Sequence, residues 1–154
     1  MNPESRQDLI PVLLVEDDPD DVAITRRAFR KGKIANPLHV VRDGEEALEF
    51  LRRTGRYEAA SAPRPGLVLL DLNLPRVNGR EVLHIVKGTP GLKRIPVVVL
   101  TTSDQESDIT DCYDRGANTY ITKPVDFHKF IQAVTTIGRY WLVLAEIPDT
   151  GEGR

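Results

Sequence analysis

Residues 66–75, GLVLLDLNLP, decide the fold, because an apolar run ends there in a single acid, Asp71, directly before a turn. A strand with apolar side chains on both faces is typical of a parallel sheet that helices cover on both sides. Such a strand delivers Asp71 to its C-terminal end, where the chain leaves the sheet. The stretch therefore predicts a buried parallel strand with a carboxylate at its tip.

Similar short apolar runs recur along the chain and alternate with amphipathic stretches of helical spacing. Asp18 is placed to cap the first helix, and Pro19 suits its first position. Strands alternating with helices in this way favour one doubly wound α/β sheet of five parallel strands, with helices on both faces. The predicted strands are 10–15, 38–41, 66–71, 95–101 and 118–121. The predicted helices are 19–31, 44–53, 79–87, 105–115 and 125–142.

Composition limits the class of protein. The chain has 154 residues, of which 40% are hydrophobic and 29% charged, as in a single soluble domain. A net charge of −2 does not favour nucleic-acid binding, and one cysteine, Cys112, excludes an internal disulfide. No stretch approaches the roughly 18 apolar residues of a membrane span, and the N-terminus lacks the apolar segment of a signal peptide. We expect a cytoplasmic protein that binds neither nucleic acid nor membrane.

The polar and apolar pattern also predicts where the domain lies. We expect a flexible N-terminus over 1–8, one folded domain over 9–145, and a flexible tail over 146–154. No second domain is expected. Residues 54–65 contain glycine and proline and predict a long loop between the second helix and the third strand, whose role the sequence leaves open.

Reactive side chains stand at the ends of four predicted strands, where ligands bind in open parallel sheets. Clustered carboxylates hold a hard divalent cation, and an aspartate can act as a nucleophile toward phosphorus. A lysine offsets charge on phosphoryl oxygens. The sequence therefore predicts a site for a divalent cation and a phosphoryl group, built from Glu16, Asp17, Asp71, Thr101, Thr102 and Lys123.

Each of these features alone has a simpler explanation. Acids after a strand often cap a helix, Lys123-Pro124 is a common turn, and the pair Thr101-Thr102 suits a strand end. Their joint occurrence at strand tips that share one edge of the sheet favours the site.

These motifs resemble the receiver domain of two-component response regulators, from about Val12 to Trp141. The matching stretches are 14–18 (LVEDD), 70–75 (LDLNLP) with 78–79 (NG), 99–102 (VLTT) and 120–124 (YITKP). The resemblance implies a flavodoxin-like sheet with strand order 2-1-3-4-5. Because no output domain is expected after the last helix, we expect signalling through protein contacts or relay to another protein.

The resemblance implies a role for each residue of the site. Asp71 would accept a phosphoryl group from a sensor histidine kinase, with Mg²⁺, or alternatively Mn²⁺, as the cofactor. The implied metal ligands are Asp17, Asp71 and the backbone carbonyl of Asn73, with Glu16 acting through water. The implied phosphoryl-binding and switch residues are Thr101, Thr102, Lys123 and Tyr120, and the positions that tune phosphoryl lifetime are Asn73 and Ser103.

The chain also resembles the small regulators that pair with phytochrome-type photoreceptor kinases, on residues 71–76 (DLNLPR), 95–103 (IPVVVLTTS), 116–121 (GANTYI) and 140–141 (YW). This resemblance implies a phytochrome-type histidine kinase as the partner. The alternatives are a shuttle receiver for a different hybrid kinase and a binding module that works without phosphorylation. An aspartyl phosphatase is disfavoured, because such enzymes carry an acid where this chain has Asn73. We expect a phospho-acceptor that loses its phosphoryl group slowly, and no other enzyme activity.

The end of the last predicted helix is apolar on every side over residues 140–145, YWLVLA. A helix of a monomer has no need to bury residues all the way round. We therefore expect a homodimer through the face of the fourth helix, fifth strand and fifth helix. Tyr140, Trp141 and Leu144 would lie at the interface. The alternative is that Trp141 packs on the sheet as part of the core.

Overall fold

The computed structural model describes residues 9–58 and 62–144, with the side chains of 143 and 144 excepted. The predicted termini, 1–8 and 146–154, and the predicted interface side chain of Leu144 lie outside the described residues. Within the described part, none of the helices has the length and apolar content that crossing a membrane requires.

Five parallel strands form one sheet in the order β2-β1-β3-β4-β5. This confirms the α/β fold and the strand order that the family resemblance implied. In the register, Val15 pairs with both Val41 and Leu70, so β1 and β3 end level with each other. The strands are β1 (Val12–Val15), β2 (Leu38–Val41), β3 (Leu67–Leu70), β4 (Val97–Thr101) and β5 (Thr119–Thr122).

Helices connect the strands, and all but the fourth begin after a residue whose side chain caps the helix. Asp18 accepts a hydrogen bond of 2.9 Å from the backbone N–H of Asp20, which confirms its predicted role as the first cap. The helices are α1 (Pro19–Lys31), α2 (Gly44–Arg52), α3 (Gly79–Gly88), α4 (Glu106–Asp114) and α5 (Phe127–Arg139).

The predicted last helix, 125–142, is wrong at both ends. It begins two residues later because the carboxylate of Asp126 caps it, accepting a hydrogen bond of 3.0 Å from the N–H of Lys129. At the other end the α-helical winding stops at Arg139, and a π-helical turn, Tyr140–Leu144, follows. The ends of the other predicted elements match the structure or differ from it by at most two residues.

Alternate strand residues supply two apolar layers. Leu13 and Leu70 belong to the layer under α2, α3 and α4, and Leu14 and Leu69 belong to the layer under α1 and α5. All four are at most 3% exposed. Because both faces of the sheet are covered, the open positions for polar chemistry lie at its edges.

The described part of the predicted 54–65 loop packs on α2. The guanidinium Nε of Arg53 donates a hydrogen bond of 2.8 Å to the carbonyl of Ala62, and Ala62 is fully buried. The Tyr57 ring meets the Phe50 ring edge to face at 5.0 Å between centroids. The Tyr57 hydroxyl also donates to Glu46.

Candidate functional site

The site lies at the carboxyl edge of the sheet, where β1 and β3 end side by side. The N–H of Asp71 donates to the carbonyl of Val15 at 3.1 Å, and the N–H of Glu16 donates to the carbonyl of Val41 at 3.0 Å. These bonds extend the ladder by one residue beyond each strand. They fix the positions at which the side chains of Glu16 and Asp71 leave the sheet.

Glu16, Asp17 and Asp71 form an acid cluster, in which one carboxylate oxygen from each residue lies within 4.8 Å of the others. Glu16 and Asp71 are buried, at 3% and 6% exposure, whereas Asp17 is exposed. Oxygen donors with this concentration of negative charge suit a hard divalent cation. The cluster thus fits the divalent metal that the resemblance implied, with a solvent-facing side at Asp17.

A buried lysine neutralises part of this charge. The Nζ atom of Lys123 lies 2.6 Å from Oε1 of Glu16 and 3.0 Å from Oδ2 of Asp71, and the residue is 6% exposed. Its backbone N–H donates to the carbonyl of Thr101 at 2.6 Å, which holds the tip of β5 against the tip of β4. The three residues therefore meet although they come from distant parts of the chain.

Burial and neighbouring charges shift the pKa values of Glu16 and Lys123, and in each residue the two effects oppose each other in part. Burial raises the pKa of Glu16 to about 8; Lys123 opposes this shift, and the charge of Asp71 adds to it. For Lys123, burial lowers the pKa, but hydrogen bonds to Asp21 and Glu16 outweigh it and leave the pKa above its usual value. Lys123 is therefore a fixed positive charge in the site.

Asp21 is a member of this group that we did not predict from the sequence. Its Oδ2 lies 2.7 Å from Nζ of Lys123. An acid in the first turn of a helix is ordinary, because it favours the positive end of the helix dipole, so it carries no signal of a site.

The turn after β3 is built on Asp71 itself. The N–H of Asn73 donates to Oδ1 of Asp71 at 3.1 Å, and the N–H of Gly79 donates to the carbonyl of Leu72 at 3.0 Å. A Cβ at Gly79 would lie 2.3 Å from the carbonyl oxygen of Asp71, so only glycine lets α3 begin this close. Both carboxylate oxygens of Asp71 are thus held, one by Asn73 and one by Lys123.

Thr101, at the tip of β4, is fully buried, and its hydroxyl has no hydrogen-bond partner among the described residues. Buried hydroxyls are ordinarily paired, so this one is available to an acceptor. Thr102 is exposed. The side chain of Thr101, unlike that of Thr102, is therefore buried at the tip of β4.

A polar network connects Ser103, which follows Thr102, to residues of α3 and α4. The hydroxyl of Ser103 donates to Oδ2 of Asp108 at 2.6 Å, and its carbonyl accepts from the hydroxyl of Tyr120 at 2.8 Å. Arg80, on α3, donates to the same Asp108 carboxylate and lies 3.7 Å from Asp111. We did not predict Arg80 or Asp108 from the sequence, because their meeting depends on the relative placement of α3 and α4.

The predicted dimer residues lie at the end of the last helix. Tyr140 is 53% exposed, and its ring meets the Trp141 ring edge to face at 5.1 Å between centroids. Trp141 packs against the apolar layer under α1 and α5 and also lines a groove of about 440 Å³ together with Thr119 and Ile121 of β5. The structure of this single chain thus leaves Tyr140 facing outward and Trp141 shared between core and groove.

Comparison with known proteins places this geometry in context. The response regulator receiver domain model matches residues 12–135. Response regulator Rcp1 of Synechocystis sp. is 43% identical over 137 residues, which cover 89% of this chain and 92% of Rcp1. The probable methanogenesis regulatory protein FilR2 of Methanothrix harundinacea is 39% identical over 136 residues, which cover 88% and 86% of the two chains.

Solved structures agree with the sequence relatives. The Mn²⁺-bound form of Rcp1 superposes with a TM-score of 0.85 at 41% identity, over 91% of this chain and 99% of that chain. The phosphorylated cyanobacterial phytochrome response regulator RcpA gives a TM-score of 0.86 at 45% identity, over 92% and 99%. The family match, the fold and the acid cluster agree: this chain belongs to the response regulator receiver domain family and is a two-component signalling protein related to phytochrome response regulators.

Proposed function

We propose that Asp71 is the aspartate that accepts the phosphoryl group from a histidine of the sensor kinase. The observation that carries this proposal is the placement of its carboxylate. The carboxylate is buried at a strand tip and lies within 4.8 Å of two other acids. One of its oxygens accepts a hydrogen bond from Lys123, and the other accepts one from the N–H of Asn73. This environment fixes the nucleophile and provides positive charge beside it.

The cation of this reaction is Mg²⁺, and Mn²⁺ can substitute for it. It would be held by Asp17, Asp71 and the backbone carbonyl of Asn73, with Glu16 acting through water. The spacing of the three carboxylates and the Mn²⁺-bound structure of Rcp1 support this assignment. When bound, the metal neutralises charge on the phosphoryl oxygens and so lowers the barrier to transfer.

The transfer exchanges one bond for another. A carboxylate oxygen of Asp71 attacks phosphorus, and the phosphorus–nitrogen bond to the kinase imidazole breaks. The electron pair of that bond stays on the imidazole nitrogen, which takes a proton from water. The ammonium of Lys123 then contacts the new phosphoryl oxygens in place of the carboxylate oxygen. Because the residue two positions after Asp71 is Asn73, no carboxylate stands there to activate water, and hydrolysis is slow.

The phosphoryl group changes the protein through Thr101 and Tyr120. The buried hydroxyl of Thr101 donates to a phosphoryl oxygen, which moves the tip of β4 inward and leaves room for Tyr120 to rotate. Rotation breaks the hydrogen bond of 2.8 Å between the Tyr120 hydroxyl and the carbonyl of Ser103. Thr102 and Ser103 follow this movement, and Asn73 and Ser103 tune the phosphoryl lifetime. The face formed by α4, β5 and α5 then carries the signal.

The kinase partner is of the phytochrome type. The relationship to RcpA, a phytochrome response regulator, supports this partner. The alternative is a hybrid kinase of another class for which this chain is a shuttle. Incubating the protein with a phosphorylated phytochrome kinase and, in parallel, with a phosphorylated hybrid kinase of another class distinguishes the two, because the cognate kinase should transfer its phosphoryl group much faster than the other.

A small phosphodonor tests the acceptor role without a kinase. The protein is incubated with Mg²⁺ and acetyl phosphate, and its intact mass is measured beside Asp71→Asn. We expect a gain of one phosphoryl group in the wild type, and none in the variant or in the presence of a metal chelator. Equal labelling of the Asp71→Asn variant would contradict the proposal.

We also propose a homodimer through the α4, β5 and α5 face, with Tyr140, Trp141 and Leu144 at the interface. The outward-facing Tyr140 and the apolar groove beside Trp141 support it. Light scattering on Tyr140→Glu should give a monomer mass, whereas His84→Glu, which adds the same charge on the exposed side of α3, should leave a dimer. A Tyr140→Glu dimer would contradict this interface.

A further inference from the structure

The geometry points to Asp21 as a positioning residue that accepts one hydrogen of the Lys123 ammonium and so weakens the hold of the lysine on the metal-binding acids. This inference rests on the proposed phosphoryl transfer at Asp71, because it concerns how the same site keeps its carboxylates open to a cation. Asp21 does not belong to the acid cluster of Glu16, Asp17 and Asp71. Its contact is with the lysine instead.

The contact joins two well-fixed elements. Asp21 lies in the first turn of α1, which Asp18 caps, and its carbonyl accepts a hydrogen bond of 2.9 Å from the hydroxyl of Thr25. Its side chain is 18% exposed, and that of Lys123 is 4% exposed. The 2.7 Å contact therefore connects the start of α1 to the end of β5 in a largely dry environment, where charge pairs are strong.

The ammonium of a lysine has three hydrogens to donate. In this site they face three carboxylates, at 2.6 Å for Glu16, 2.7 Å for Asp21 and 3.0 Å for Asp71. The weakest of the three contacts by distance is the one to Asp71. Asp21 thus takes a share of the ammonium that would otherwise go to Glu16 and Asp71.

Removing the charge of Asp21 would change the balance at Lys123. The ammonium would then pair only with Glu16 and Asp71, among the described carboxylates. Both belong to the acid cluster, so the lysine would compete with a cation for their oxygens. Partners that hydrogen-bond the metal ligands themselves typically change metal affinity by roughly 10- to 100-fold, and Asp21 acts one contact further away, through Lys123. We expect a loss of Mg²⁺ affinity of about tenfold in Asp21→Asn.

Neighbouring Asp20 provides a matched control. It is exposed in the same helical turn, and it is not among the described carboxylates that bond Nζ of Lys123. Asp20→Asn removes the same charge one residue away. Calorimetric titration of Mg²⁺ should therefore show a clearly larger loss of affinity in Asp21→Asn than in Asp20→Asn. Equal affinities for the two variants would overturn the inference, since a general charge effect would then suffice.

A double-mutant cycle tests whether Asp21 acts through the lysine. In a Lys123→Met background, Asp21→Asn should weaken Mg²⁺ binding no more than Asp20→Asn does, because the competing ammonium is gone. An undiminished effect in that background would overturn the inference. Circular dichroism establishes that each variant is folded, and Asp21→Glu, which keeps the charge, should recover most of the affinity.

The acetyl phosphate reaction separates this inference from the proposed function. If the wild type binds Mg²⁺ and gains a phosphoryl group while Asp21→Asn and Asp20→Asn behave alike, the inference alone is wrong. If the wild type gains none even from its kinase, the proposed function is wrong, and the role assigned to Asp21 is lost with it.

Discussion

Lys123 donates a hydrogen bond of 3.0 Å from Nζ to Oδ2 of Asp71, across 52 residues of chain. Both residues are buried, at 6% exposure each. The contact joins the ends of β3 and β5, which lie on either side of β4 in the sheet. The proposed phosphoryl acceptor, Asp71, is thus hydrogen-bonded to the buried ammonium of Lys123 before any ligand is bound.

Lys123→Met should destabilise the protein in a way that Mg²⁺ partly reverses. Losing the lysine leaves buried carboxylates without their counter-charge, which costs roughly 3–5 kcal/mol in such pairs. Because the cation no longer competes with an ammonium, we expect Mg²⁺ to bind more tightly than in the wild type and to recover part of that loss. Urea unfolding with a chelator and with saturating Mg²⁺ measures both effects. A destabilisation that Mg²⁺ leaves unchanged would argue against a metal at this cluster.

Thr101→Val should stabilise the unphosphorylated protein and weaken its switching. The Thr101 hydroxyl is buried and has no partner among the described residues, and an unpaired buried hydroxyl costs roughly 1–3 kcal/mol. Valine has nearly the same shape, so the free energy of unfolding should rise by about 1 kcal/mol. Denaturant titration checks this, and amide exchange of β4 and β5 with and without phosphoryl donor checks the switch. Lower stability in the variant would show that the hydroxyl is already satisfied.

Asp108→Asn should remove part of the acid sensitivity of folding. The Ser103 hydroxyl and the Arg80 guanidinium hold the pKa of Asp108 below its usual value. A lowered pKa in the folded state adds stability above the unfolded pKa, and that stability is lost as pH falls through the folded value. The Tm of the wild type should thus fall more steeply below about pH 4 than that of the variant. If the Tm of the two proteins fell with equal slope as pH is lowered, the stabilising role of the Ser103, Arg80 and Asp108 contacts would be contradicted.

Gly44→Ala should disturb the segment between β3 and α3. A Cβ at Gly44 would lie 1.8 Å from the carbonyl oxygen of Val77, and backbone atoms cannot rotate away as a side chain can. We expect a loss of stability on the order of 1–3 kcal/mol by urea unfolding. Gly88→Ala is the matched control, because a Cβ there meets nothing within 4 Å. That variant should be neutral or gain about 0.5 kcal/mol. Equal behaviour of the two variants would contradict the close approach.

The sequence predicted the placement of the strand-end residues because strand periodicity determines where a run of apolar residues must end. Once the sheet is parallel, its carboxyl edge has to hold Glu16, Asp71 and Lys123. In the structure, Nζ of Lys123 lies within 3.0 Å of a carboxylate oxygen of each acid. The strand order itself came from the family resemblance. Nothing in the spacing of the runs states which strands are neighbours.

Contacts between helices were not predictable in the same way. Asp21 meets Lys123 only because α1 begins beside the tip of β5, and Asp108 meets Arg80 only because the first turns of α3 and α4 lie near each other. Charged residues on helices usually face solvent, so each of these looked ordinary in the sequence. The predicted end of the last helix was wrong for another reason, because apolar periodicity does not reveal the change from α-helical to π-helical winding at Tyr140.

The most direct test of the account is to trap the phosphoryl group on its residue. After incubation with Mg²⁺ and acetyl phosphate or the cognate kinase, borohydride reduces an aspartyl phosphate to homoserine, and peptide sequencing locates it. We predict homoserine at position 71, in the peptide that contains Leu70 and Leu72, and none when Mg²⁺ is chelated. Homoserine at position 17, or a phosphorylated protein without homoserine at position 71, would contradict the assignment of Asp71 as the acceptor.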